Sequence, residues 1–80
     1  PQVSTALFRR DGEFYVFAVN DGQEDKIADV VLDGNLLELP AWRARDLVSG
    51  QEWNVNLHES QHLIFPVPRK DGAIVHLQGA

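Results

Sequence analysis

The sequence predicts an all-β fold, namely an antiparallel β-sandwich of about seven short strands joined by Greek-key or meander connections. Five of the six glycines directly follow Asp or Ser, and such pairs favour tight turns because glycine accepts positive φ without steric cost. Between the pairs lie β-branched and aromatic residues in period-two patterns, whereas no segment keeps the i, i+3, i+4, i+7 spacing of an amphipathic helix. Turn signals at intervals of roughly 8 to 12 residues are typical of a sandwich. The pairs are Asp11-Gly12, Asp21-Gly22, Asp33-Gly34, Ser49-Gly50 and Asp71-Gly72.

These turns divide the chain into short segments, which contain seven predicted strands. The fifth has the clearest alternation, because Trp53, Val55 and Leu57 share one face while polar residues occupy the other. Its first partner is the fourth strand, reached through the Ser49-Gly50 turn. In chain order, the predicted strands are Val3–Arg10, Glu13–Asn20, Ile27–Asp33, Trp42–Val48, Gln51–His58, His62–Val67 and Ala73–Gln78.

The second predicted strand is apolar on both faces. Its alternate residues place Phe14 on one face and Tyr15, Phe17 and Val19 on the other. One face of a strand in a two-layer sandwich normally meets water, so this pattern predicts that something covers the outer side. A neighbouring domain and the loop 34–41 are the two candidates, and Phe14, Tyr15, Phe17 and Val19 are the candidate interface residues.

Length and composition limit the classes of function. Eighty residues form one domain, and the absence of Cys leaves packed apolar side chains to stabilise it. A formal net charge of −5 with scattered bases argues against nucleic acid or an anionic membrane as partner. The chain begins at Pro1 and contains no Met, so we expect a piece of the C-terminal end of a longer chain; the compartment stays open.

The segment from His58 to His62 matches the zinc-protease pattern H-E-x-x-H, with Glu59 in the position of the general base. That chemistry needs a helix, because one helical turn brings both imidazoles to the same metal ion. The flanking residues have a strand pattern, and Pro66 follows shortly after. The alternative interpretation is a turn between two strands, in which His58 and His62 lie opposite one another across a hairpin. We therefore predict no metal site and no cofactor.

The remaining patterns also give no catalytic residue. Most acids lie in predicted turns, where they bond the turn backbone, and no G-x-S-x-G or glycine-rich phosphate loop occurs. Asp46 is the exception, since it shares the inner face of its strand; if buried, it needs Arg43, Arg45 or the turn amides near Ser49-Gly50 as partners. A second hypothesis is carbohydrate binding, in which exposed Trp42 and Tyr15 stack on sugar rings.

The order of three features resembles a known family. An apolar strand ends in Asn20, the run Arg45-Asp46-Leu47-Val48-Ser49-Gly50 follows, and the apolar run around Pro66 precedes a final strand Ala73-Ile74-Val75-His76-Leu77. This pattern resembles the C-terminal β-sandwich domain of amylase-like and β-galactosidase-like glycoside hydrolases, and it spans nearly the whole chain. The resemblance implies a non-catalytic accessory domain that packs against an upstream catalytic barrel and stabilises it.

Overall fold

The structure, a computed structural model, describes residues 3–79 and confirms the all-β antiparallel sandwich. Five strands form the large sheet in the order β1-β2-β7-β4-β5, and β3 and β6 form a small sheet across from it. Because β7 lies between β2 and β4, the chain crosses between the sheets and is not a simple meander. The elements are β1 Val3–Arg10, β2 Glu13–Asn20, β3 Lys26–Val31, α1 Gly34–Leu37, β4 Ala41–Asp46, β5 Glu52–Asn56, β6 His62–Val67 and β7 Asp71–Gly79.

The first two strands form a regular hairpin around Asp11 and Gly12. Both turn residues have positive φ, 53° and 79°, which is the type I′ geometry that matches the twist of paired strands. The register is continuous from Val3 opposite Asn20 to Arg10 opposite Glu13. The Asp-Gly pair therefore has the role that the sequence predicts for it.

Three strands end earlier than the periodicity predicts, because polar side chains take the backbone amides that follow. Asp46 Oδ1 accepts from the amides of Val48 and Ser49 at 2.9 and 3.2 Å, which ends β4. Asn56 Oδ1 accepts from the amide of His58 at 2.9 Å and ends β5 in the same way. After β3, Asp33 accepts from the amide of Asn35 and caps the single helical turn α1.

The core lies between the two sheets. Alternate residues of each strand are buried there, and α1 contributes Leu37. Two polar residues are buried among them, Asn20 and Asp46, and in the described part of the chain each buried polar side-chain atom has a hydrogen-bond partner. The buried apolar residues are Phe14, Val16, Ala18, Ala28, Leu32, Leu37, Trp42, Ala44, Val55, Leu63, Phe65, Val67, Ala73, Val75 and Leu77.

Asn20 joins the two sheets. Its Nδ2 donates to Val67 O in β6 at 3.0 Å and to Glu24 O at 2.9 Å, while its Oδ1 accepts from the amide of Gly22 at 2.9 Å. One side chain thus fixes the end of β2, the following turn and a strand of the opposite sheet. This arrangement gives a physical reason for an Asn at the end of an apolar strand.

Candidate interface on the outer face of the large sheet

The outer face of the large sheet is divided into an apolar and a polar half. Strand pairing places the outward side chains of neighbouring strands beside one another. Those on β1, β2 and β7 are mainly apolar, whereas those on β4 and β5 are polar. We call the first set the apolar half and the second the polar half. The apolar half contains Ala6, Phe8, Tyr15, Phe17, Val19 and Ile74; the polar half contains Arg43, Arg45, Glu52, Asn54 and Asn56.

The apolar half is exposed in spite of its composition. Phe8 and Val19 are each 57% exposed and Phe17 is 38% exposed. The rings of Phe8 and Phe17 meet edge to face with centroids 5.2 Å apart. Beside them, the turn residue Val48 is 65% exposed and lines a shallow groove with Phe17 and Val19. Contiguous apolar surface of this kind marks an interaction site more often than scattered apolar residues do.

A small polar cluster of Glu13, Tyr15 and His76 lies where β2 begins, at one end of the apolar half. The Tyr15 ring stacks on the His76 imidazole with centroids 4.7 Å apart and planes 16° apart. His76 Nε2 lies 2.8 Å from Glu13 Oε1. These side chains are partly buried and contact one another, so they form a polar margin to the apolar half.

The polar half has the character of a solvated surface. Arg43 Nε donates to Glu52 Oε1 at 2.8 Å, and this hydrogen bond together with the guanidinium charge lowers the pKa of Glu52 below its usual value. Both side chains are exposed. The same sheet thus presents a water-facing ion pair in its polar half and uncovered aromatic rings in its apolar half.

The small sheet also has exposed apolar residues on its outer face. Ile27, Val31 and Ile64 are 65%, 66% and 55% exposed. Between them His62 Nδ1 lies 2.6 Å from Asp29 Oδ1, so the centre of this face is polar. The face is only two strands wide, and it lacks the aromatic cluster of the large sheet.

The loop 34–41 does not cover the apolar half, so the prediction that it shields β2 is wrong. Leu37 inserts into the core, and the carbonyl of Leu39 accepts from Trp42 Nε1 at 2.8 Å. The loop therefore closes the core beside β4. Phe17 and Val19 stay uncovered by it.

Two predicted site residues lie in the core, which corrects their assignment. Phe14 is 2% exposed and packs edge to face on Trp42 with centroids 5.5 Å apart, so it is not part of an outer interface. Trp42 is also 2% exposed, and its indole nitrogen is bonded to Leu39 O. A buried ring cannot stack on a sugar. Of the predicted sugar-stacking pair only Tyr15 reaches the surface, and His76 covers one side of its ring.

The H-E-x-x-H segment is not helical. Residues 57–59, which include His58 and Glu59, form a turn, and His62 is the first residue of β6. The hairpin arrangement of the two imidazoles is wrong as well, because β5 and β6 belong to different sheets. Within residues 3–79, no group of three or more His, Cys, Asp or Glu side chains is placed to hold a metal ion. The same residues contain no helix that is long and apolar enough to cross a membrane.

Sequence comparisons find no relative: no family model matches the chain, and no curated protein matches it. Solved structures are similar in fold. α-Galactosidase I from Mortierella vinacea superposes on 99% of this chain with a TM-score of 0.75 at 15% identity. A GH27 β-L-arabinopyranosidase from Geobacillus stearothermophilus, in complex with arabinose, superposes on 98% with a TM-score of 0.68 at 22% identity.

Both solved structures contain a region with the same fold as this chain over nearly its whole length. The chain spans 21% of the α-galactosidase and 17% of the arabinopyranosidase, so it corresponds to a small part of each enzyme. At these identities the likeness establishes the fold alone. Neither structure is an amylase or a β-galactosidase, so the comparison gives no support to those narrower assignments.

Proposed function

We propose that this chain is a non-catalytic accessory domain of a glycoside hydrolase and that it packs against an upstream catalytic domain of the same parent protein. The observation that carries the proposal is the division of the large sheet: its apolar half exposes Phe8, Phe17 and Val19, whereas its polar half carries polar side chains and the water-facing ion pair of Arg43 and Glu52. The likeness to about a fifth of two glycosidases supports the same interpretation.

The apolar half fits a domain interface better than a sugar site. Sugar recognition needs accessible ring faces with hydrogen-bonding groups beside them. Phe8 and Phe17 meet edge to face, and the Tyr15 ring is covered on one side by His76. A neighbouring protein surface requires only apolar complementarity, and fully burying one Val or Phe side chain contributes about 1.5–3 kcal/mol. Covering the apolar half would therefore stabilise both partners by several kcal/mol.

Val19→Lys in the full-length parent tests the proposal, with Asn54→Lys on the polar half as the matched control. Both positions are exposed on the same sheet, and the isolated 80-residue chain gives the intrinsic effect of each change on the unfolding midpoint, which for Asn54→Lys includes repulsion from Arg43 directly opposite. In the parent, Val19→Lys should place an ammonium group in an apolar contact and lower the temperature of half-inactivation beyond this intrinsic effect, whereas Asn54→Lys should not.

Limited proteolysis of the same variants reports whether the domains separate. We expect Val19→Lys to release the β-domain from the parent faster than the wild type or Asn54→Lys does. Equal inactivation temperatures and equal release rates for the two variants would contradict docking through the apolar half. The sequence encoded before Pro1 provides a separate check, because the proposal requires a catalytic domain with paired carboxylates there.

A further inference from the structure

The outer edge of β1 is the least protected strand edge of the sandwich. β1 is the first strand of the large sheet, and within residues 3–79 it is hydrogen-bonded to β2 alone. Its residues from Val3 to Phe8 include no charge, Pro or Gly, and those from Ser4 onward are exposed. A long, regular, uncharged edge presents a row of free amides and carbonyls to any strand that approaches it.

The other three edges carry features that block such pairing. β3 has charged Lys26 and Asp29 within its six residues. β6 contains Pro66, which has no amide hydrogen. β5 is five residues long and contains Glu52. Short length, charge and Pro are the common means by which edge strands avoid association, and β1 has its charges, Arg9 and Arg10, only beside the hairpin turn.

The direction of the β1 backbone groups follows from the turn. A two-residue type I′ turn makes Arg10 and Glu13 a hydrogen-bonded pair, so even-numbered residues of β1 bond to β2 and odd-numbered ones point outward. The hydrogen bonds on the other side of β7 lead to the same assignment. The amide of Leu47 donates to Ile74 O, so even-numbered residues of β7 bond away from β2 and odd-numbered ones bond to β2. In β2 the even-numbered residues then bond to β7 and the odd-numbered ones bond to the even-numbered residues of β1. The free groups therefore belong to Val3, Thr5, Leu7 and Arg9.

We infer that two copies of this chain associate through β1, antiparallel about a two-fold axis at Ala6. In that register Val3 pairs with Arg9 of the second copy and Thr5 pairs with Leu7, so all four outward residues of both copies find partners. This gives about eight main-chain hydrogen bonds, two for each of four pairs. Shifting the register by two residues in either direction leaves one of the four without a β1 partner.

The side chains also favour a second copy as the occupant. Like charges do not face each other in this register, because Arg9 lies opposite Val3 of the other copy. The Phe8 ring lies opposite Ser4, and the small Ala6 lies opposite its symmetry mate on the axis. A contact of this kind is self-complementary, as a two-fold interface must be. It uses the main-chain groups at the β1 edge and leaves the β2 residues of the apolar half, Tyr15, Phe17 and Val19, uncovered, so it does not require the proposed docking to a catalytic domain.

The first test is sedimentation equilibrium of the 80-residue chain from about 5 μM to about 1 mM, since an interface one strand wide is smaller than the ~800 Å² per partner of a standard stable complex. We expect a reversible monomer–dimer equilibrium. Thr5→Pro removes an outward amide and should weaken association at least tenfold, whereas Thr5→Ala keeps the amide and should not. Tryptophan fluorescence and circular dichroism establish whether each variant is folded.

A charge exchange at Ala6 tests the register and does not depend on Pro being tolerated. Ala6→Lys and Ala6→Glu each place like charges on the axis and should be monomeric, while an equimolar mixture should form the heterodimer. The inference is overturned if the wild-type chain is monomeric at 1 mM, if folded Thr5→Pro dimerises like the wild type, or if the Ala6→Lys and Ala6→Glu mixture stays monomeric. The last outcome excludes pairing about Ala6 even where a dimer exists.

Discussion

Replacing Asn20 by Ala should destabilise the domain more than its single amide group suggests. The side chain makes three hydrogen bonds, to Val67 O, Glu24 O and the amide of Gly22, and it is completely buried. At a net value of about 1 kcal/mol each, their loss removes about 3 kcal/mol. The Val67 carbonyl is then left in the core without this donor, which adds about 1 kcal/mol or more.

The expected loss of about 4 kcal/mol is a large share of the stability of a small domain. At ~0.05–0.15 kcal/mol per residue, a chain of this length has a free energy of unfolding of about 4–12 kcal/mol. Each kcal/mol lowers the melting temperature of a domain of this size by about 4–8 °C, so Asn20→Ala should lower it by more than about 15 °C. Urea titration followed by the fluorescence of Trp42 and Trp53 gives the free energy directly.

Two further variants isolate the cause. Asn54→Ala removes an exposed amide on the outer face and should change the free energy of unfolding by less than about 0.5 kcal/mol. Asn20→Asp keeps the acceptor for Gly22 but sets a carboxylate against two carbonyl oxygens, so its folded pKa is raised. The variant should be more stable at pH 4 than at pH 7, since protonation removes the repulsion. A loss below about 1 kcal/mol for Asn20→Ala would refute the idea that this residue joins the sheets.

Three other changes test local features by the same titration. Gly72→Ala places a Cβ 2.9 Å from Ala18 O and should cost about 1–3 kcal/mol as an overpacked contact. Asp46→Ala removes both turn hydrogen bonds and should cost about 2 kcal/mol. Because Arg43 lowers the pKa of Glu52, their pair stabilises the fold above the ordinary value of 4.5 and loses this effect as the pH falls through the folded pKa. The stability difference between the wild type and Glu52→Gln should thus diminish as the pH falls below 4.5 and through the lowered folded pKa of Glu52.

The sequence predicts most strands well because turns and strands depend on residues that are close together in the chain. The Asp11-Gly12 turn and the β-branched and aromatic residues on either side of it predict β1 and β2, and the predicted bounds of these strands and of β6 agree with the structure. The predicted ends of β4 and β5 each lie two residues beyond the observed ends. The strands end at Asp46 and Asn56 because these side chains accept from the amides of Val48 and His58. Such Asx turns are recognisable in sequence, so these ends could have been predicted.

The distribution of strands between sheets could not be read from the sequence. β5 and β6 are consecutive and separated by a short turn, which favours a hairpin, yet β6 pairs with β3 and β5 with β4. The choice depends on contacts between residues distant in the chain. For the same reason the sequence identified β2 as apolar on both faces but did not show that Phe14 faces the core and Phe17 faces outward.

Two of the residues that carry the family resemblance, Asn20 and Asp46, have structural roles that account for their presence. Asn20 and Asp46 are the two buried polar residues among residues 3–79; one joins the sheets and the other closes the turn after β4. A sequence that keeps them needs this fold, whatever the fold is used for, so their presence gives information on architecture and not on activity. The proposed function therefore rests on the outer face of the large sheet, whose side chains do not fill the core. There an apolar half on β1, β2 and β7 adjoins a polar half on β4 and β5, and we propose that contact with another surface is the reason for the difference between them.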